Sequence, residues 1–228
     1  MTYVLHYAPD NASLIIRLAM DHVRAPYRTV LVDRKAQGHR APAYLRLNPA
    51  GLIPVLETPQ TPISETGAIL LWLGDTHGGL GPAPDAAERA DYLKWLFFTA
   101  NTLHPALRMM FYPDKYIGEV HGNALQAGLR GTITDALRLL EGMAATAPAW
   151  LPGSGVGFYL AACLRWCALY PADYDRSWFH LADFPHLHDL CVQIEALPAT
   201  HILQAAEGLG PTPFTTPRFA NPPEGSAT

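Results

Sequence analysis

The run NPAGLIPVLETPQTPISETGAILLWL, residues 48–73, sets the tightest limit on what this chain can form. Pro54 interrupts an apolar stretch that otherwise reads as a buried strand, and a proline cannot donate to a β-ladder. An Ile53–Pro54 bond held cis at a strand end resolves the conflict. It turns the preceding main chain outward and leaves the N–H and C=O of Ile53 for an extended peptide to pair with. Eleven residues further on, Glu65, Thr66 and Gly67 stand at the start of an apolar helix. Free N–H groups and the positive dipole end at such a start suit a carboxylate. A strand edge beside a carboxylate site fits a small acidic peptide.

The segments around this run supply a scaffold for it. TYVLHYA (2–8) reads as a strand, PDNAS as a turn, LIIRLAMDHV as an amphipathic helix and YRTVLVD as a second strand. Strand, helix and strand in succession predict a parallel βαβ unit. A polar connection follows, then LIPVLET as a third strand, TPI as a brief fourth, and the helix of SETGAILLWLGDTH. The Gly- and Pro-rich stretch 78–89 marks a linker, beyond which only helical patterns occur. The expected organisation is an α/β domain over 1–78, an all-helical domain over 86–209 and a tail over 210–228. That tail holds five prolines and no apolar periodicity, and it is expected to be extended or disordered.

NPAGLIPVLE followed by SETGAILLWL resembles the thioredoxin-like N-terminal domain of cytosolic glutathione transferases. FPHLHDLCVQIEALPATHILQAAEG resembles the closing helices of the same family. Together the two blocks extend the resemblance over residues 2–209, nearest to bacterial beta-type members. The resemblance implies an α/β thioredoxin-like domain carrying an all-α helical bundle, and a transferase that activates glutathione for attack on a hydrophobic electrophile. It further implies that Ile53 and Pro54 meet the cysteinyl backbone of glutathione and that Glu65 and Thr66 grip its γ-glutamyl end. Lys35, Asn101 and His104 are the other implied glutathione contacts. Met109, Tyr112 and Tyr116, from the Met- and aromatic-rich MMFYPDKY, are the implied lining of an electrophile pocket. Family members are usually homodimers, and one is expected here.

Two departures from the family pattern matter. Beta-type members carry a cysteine shortly after the first strand, whereas YAPDNASL places Ala12 there. With no cysteine in the first 160 residues, a protein thiol cannot serve this domain. The thiol of glutathione must instead be stabilised as the attacking thiolate by a donor. Ser13 is the first candidate, Asn11 its rival and Tyr7 a more distant third; Ser13 and Asn11 could equally serve as helix caps. The second departure is at PGSGVGFYL, where Gly157 stands in place of the aspartate of a Ser/Thr-x-x-Asp capping box. A less rigid helix start is expected from that loss.

Alternative readings are a non-catalytic glutathione-binding module and a glutathione-dependent peroxidase or reductase. Formal net charge is −4 with no concentrated basic face, which argues against a nucleic-acid partner. Neither a membrane span nor a secretory signal is legible. Cys163, Cys167 and Cys191 read as core thiols, and a metal site at His186 and His188 is disfavoured by their spacing. No cofactor beyond glutathione as co-substrate is expected, and the composition suits a cytoplasmic protein.

Overall fold

The computed structural model describes residues 2–227 of the chain. Its first part is a four-stranded sheet in the order β2-β1-β3-β4, built from β1 (Tyr3–Tyr7), β2 (Tyr27–Leu31), β3 (Val55–Glu57) and β4 (Pro62–Ser64). β1 and β2 run parallel, joined by α1 (Ser13–His22), as the βαβ reading requires. β3 lies antiparallel to β1, with Leu5 opposite Leu56 and His6 opposite Val55. The Ile53–Pro54 bond is cis, and β3 begins only at Val55. The third strand is therefore shorter than the apolar run suggests, because its first residues are withdrawn from the ladder.

α1 is buried on nearly every side, with Leu14, Ile15, Ile16, Leu18 and Ala19 fully excluded from solvent. Such a helix must be covered all round. It packs on β1, on α3 (Thr66–His77), and on α8 (Gly155–Leu169) and α10 (Pro198–Glu207) from the helical part. One continuous core joins both parts of the chain. A short α2 (Pro42–Leu47) precedes the Pro54 turn.

α4 (Arg89–Phe98) and α5 (His104–Phe111) form a single rod broken by a wider turn at Thr99–Leu103. There the His104 N–H reaches back five residues to the Thr99 carbonyl. Pro105 has no N–H to give, so the ladder must slip ahead of it. α6 (Asp114–Ile117), α7 (Gly122–Ala145) and α9 (Pro185–Glu195) complete the bundle. Cys163, Cys167 and Cys191 are free, buried thiols. No described helix is long and apolar enough to cross a membrane, and no cluster of three metal-ligating side chains occurs among the described residues.

At α8 the serine half of the capping box is kept, and of the two states expected of the tail the disordered one is set aside. The start of α8 is capped: Ser154 Oγ accepts from the Gly157 N–H at 3.1 Å and donates to the Leu151 carbonyl at 3.0 Å. A Cβ at Gly157 would meet the Leu151 carbonyl oxygen at 2.2 Å, so this cap has no room for the family's aspartate. The tail is ordered against the body. Phe214 is buried, the Asn221 N–H donates to the Gly208 carbonyl, and Tyr7 Oη donates to Glu224 at 2.5 Å. Prolines shape this segment without loosening it, because its anchors are single side chains that carry no periodicity.

Candidate functional site

A cleft of about 1160 Å³ lies between the sheet part and the helical bundle. That exceeds a typical small-molecule site and leaves room for two ligands side by side. Ile53, Pro54, Glu65, Thr66, Asn101, His104, Tyr112 and Tyr116 all line it, together with Asn11 and Ala12. Four sequence candidates do not. Tyr7 is buried, and its hydroxyl donates to Glu224. Ser13 is fully buried; its hydroxyl donates to the Ala8 carbonyl at 2.9 Å and accepts the Ala8 N–H at 3.2 Å. Lys35 is exposed and lies outside the cleft lining, and Met109 packs against the core.

Ser13 thus fastens the loop between β1 and α1 and is not a wall of the cleft. The same loop is tied at other points. Asp10 donates its N–H to Glu207 Oε2 at 2.9 Å. The Asp10 carboxylate accepts from Arg165 Nε and Nη2 at 2.8 Å each, from Trp166 Nε1 at 3.1 Å and from Tyr170 Oη at 2.8 Å. Asp10 itself holds φ at +47°, a conformation that persists only where surrounding bonds enforce it. These ties present Asn11 and Ala12 rigidly at the N-terminus of α1. Asn11 Oδ1 accepts the Ala12 N–H at 2.8 Å, and no described group takes its Nδ2.

On the other side of Pro54, Asn48 Nδ2 and Tyr44 Oη both donate to the Leu52 carbonyl, at 2.9 and 2.8 Å. They fix the approach to the cis bond from below. Glu65 sits at φ +70° at the head of α3, so a second non-glycine residue in the left-handed half of the map borders the cleft. Gly67 faces the bundle at this point, where a Cβ would meet Ala100 Cβ in ordinary contact at 3.4 Å. Across this junction His104 Nδ1 pairs with Tyr159 Oη at 2.7 Å. Burial holds the His104 pKa down, to about 4, and pushes Tyr159 well above its ordinary value. The contact therefore joins a neutral imidazole to a protonated phenol.

Sequence reasoning missed several lining residues. Arg34, His39 and Arg40 come from the connection after β2, and Arg108 and Lys115 from α5 and α6. Phe219, Ala220, Pro222, Gly225, Ser226 and Ala227 bring the tail into the cleft wall. Arg165 had a signal: it is the one charged residue in YLAACLRWCAL, where an unpaired cation would be untenable. The tail residues had none.

The architecture is an α/β thioredoxin-like unit carrying a helical bundle, with a cleft at the junction where two helix starts and a cis-proline edge meet. Residues 12–76 match the family model described as glutathione S-transferase, N-terminal domain. A glutathione S-transferase of Xanthomonas campestris pv. campestris is 32% identical over 173 residues, covering 71% of this chain and 81% of the relative. Among solved structures, a sphingomonad glutathione S-transferase complexed with glutathione is 25% identical, with a TM-score of 0.72 over 91% of this chain and all (100%) of the other. A bacterial beta class glutathione S-transferase of Sphingomonas chungbukensis has a TM-score of 0.71 at 21% identity, covering 88% of this chain and 96% of its own. The chain belongs to the glutathione S-transferase family and is a transferase-like enzyme of that family.

Proposed function

We propose that the cleft binds glutathione and holds its sulfur as a thiolate for attack on an electrophile beside it. In this reading the main chain of Ile53 pairs with the cysteinyl unit, and Glu65 with Thr66 holds the γ-glutamyl end at the head of α3. Arg40 and His39 face the glycyl carboxylate in place of Lys35, which does not line the cleft. Asn101 and His104 close the far side. The thiolate lies at the start of α1, where Asn11 Nδ2 donates to it beside the positive end of the helix. The single observation that supports this most is the convergence of Asn11, Ile53, Pro54, Glu65 and Thr66 on one cleft with no protein thiol lining it. The mechanism is proximity plus thiolate stabilisation.

The chain acts as a homodimer in this reading, supported by the exposed apolar Leu52 and Phe97 beside the cleft. Light scattering at twice the chain mass tests that. Three free, buried cysteines are consistent with work in a reducing cytoplasm.

The deciding experiment follows thiolate absorbance of the glutathione complex against pH. The bound thiol should ionise well below its ordinary value near 8.5. Asn11→Ala should raise that midpoint, and Glu65→Ala with Thr66→Ala should abolish binding without unfolding the protein. Binding with an unshifted midpoint and no turnover would favour a non-catalytic glutathione-binding module. Turnover confined to peroxides or disulfides would favour a glutathione-dependent reductase.

A further inference from the structure

The wall contributed by α5, α6 and the connection after β2 carries three cations with no acidic partner among the described residues. Arg108 Nη1 donates to Tyr116 Oη, and its guanidinium carbon lies 5.5 Å from the centre of that ring. Lys115 Nζ sits 4.2 Å over the Tyr112 ring. Arg34 approaches the same ring at 5.9 Å, donates from Nη2 to Tyr112 Oη at 2.8 Å, and donates from Nη1 to the Ala227 carbonyl. None of the three makes an ion pair among the described side chains. The chain as a whole is acidic, at −4, so this local excess runs against its net charge.

The cleft's carboxylates do not compensate. Asp10 is saturated by Arg165, Trp166 and Tyr170, and Glu65 stands at the head of α3 in the other part of the chain. The third, Asp173, makes no ion pair among the described side chains. The cations crowd one another. Burial, then repulsion from Arg108, Arg34 and Arg40, pulls the Lys115 pKa down, and Arg40, Arg34 and Lys115 add to the burial that lowers His39. Tyrosine faces steady such cations while leaving N–H donors for an anion. An oxygen acceptor is already held here, since the Ala227 carbonyl rests on Arg34.

We propose that Arg34, Arg108 and Lys115, set on Tyr112 and Tyr116, form a subsite for the carboxylate of an acidic electrophile. This rests on the glutathione reading above, and it replaces a purely apolar co-substrate with one carrying an apolar reactive part and an anionic end. A carboxylate on the far side of the ring from the reacting carbon would be gripped by the cations while the reacting carbon faces the sulfur. With an aryl chloride the step balances simply. The thiolate forms a C–S bond, the C–Cl bond breaks with its electron pair leaving on chloride, and the thiol proton passes to water.

The test compares 4-chloro-3,5-dinitrobenzoate with 1-chloro-2,6-dinitrobenzene, which differ only in the carboxylate. Each kcat/KM is normalised to its uncatalysed rate with glutathione, and the affinity for glutathione is measured by calorimetry on the same samples. The wild-type protein is expected to favour the acid by about tenfold or more, the scale of one good charged contact. Lys115→Gln, at an exposed position that leaves the core intact, should lower that preference, and Lys115→Glu should lower it further. Arg108→Gln with Lys115→Gln should remove it. Equal normalised rates in the wild type, or a preference that survives both charge removals, overturns the subsite. So does a loss of glutathione affinity in these variants with the preference unchanged, which would assign the cations to the glycyl carboxylate instead. If the wild type binds no glutathione, the parent reading fails as well, and calorimetry separates that case from the others.

Discussion

Arg165 on α8 grips both carboxylate oxygens of Asp10, on the loop after β1, with Nε and Nη2 each at 2.8 Å and neither side chain exposed. The pair joins the helical bundle to the loop that presents Asn11. Removing one partner strands a charge in the interior, whereas removing both does not. Arg165→Met alone should cost on the order of 3–5 kcal/mol, and adding Asp10→Asn should recover part of that. Urea unfolding of the two singles and the double checks this; simple additivity would refute the coupling.

His104 should stay neutral throughout the physiological range. Its folded pKa, about 4, lies below the ordinary 6.5. The stability that depends on the neutral ring is therefore present above pH 6.5 and lost as pH falls through about 4. NMR should show its ring C–H resonances, identified by their absence in His104→Asn, unmoved between about pH 5.5 and 8. A midpoint near the ordinary value would contradict the burial.

Glu207 behaves in the opposite sense. Burial raises its pKa from 4.5 to about 7, despite the Asp10 N–H and the Arg17 guanidinium 3.5 Å away. The folded state holds this proton more tightly than the unfolded chain, so raising the pH from 4.5 towards 7 withdraws stability. Relative to Glu207→Gln, the wild-type protein should lose on the order of 2–3 kcal/mol across that window. Thermal or urea melts at several pH values read the difference, and parallel curves would rule it out.

Gly157→Asp would restore the family's capping box in sequence and should nonetheless destabilise the protein. The new Cβ would collide with the Leu151 carbonyl at 2.2 Å, which only a backbone shift could relieve. A loss of about 1–3 kcal/mol is expected from such overpacking. A higher melting temperature would show that the loop yields easily.

How much of this was legible in the sequence depends on how local each cause is. Pro54, Glu65 and Thr66 are readable because each acts within its own turn or helix start. His104 and Asn101 are readable as one face of a helix, although the slipped ladder at Thr99–Leu103 that carries Asn101 is not. Ser13 misled because capping and catalysis ask for the same residue type at the same place. Its actual bonds are to Ala8. Lys35 and Arg34 are neighbours in sequence, and which of them turns inward depends on Tyr112, far along the chain. The tail was hardest. Its order comes from isolated anchors such as Phe214 and Glu224, whose partners lie in other elements.

The hold of residues 213–218 on Arg165 bears on how the chain matures during synthesis. The guanidinium emerges with α8, yet two of its acceptors, the carbonyls of Pro213 and Arg218, are translated 48 and 53 residues later. Until those arrive, Asp10 is the one acceptor of these three that Arg165 can reach, and a chain cut short of residue 213 would leave Nη1 without its carbonyl.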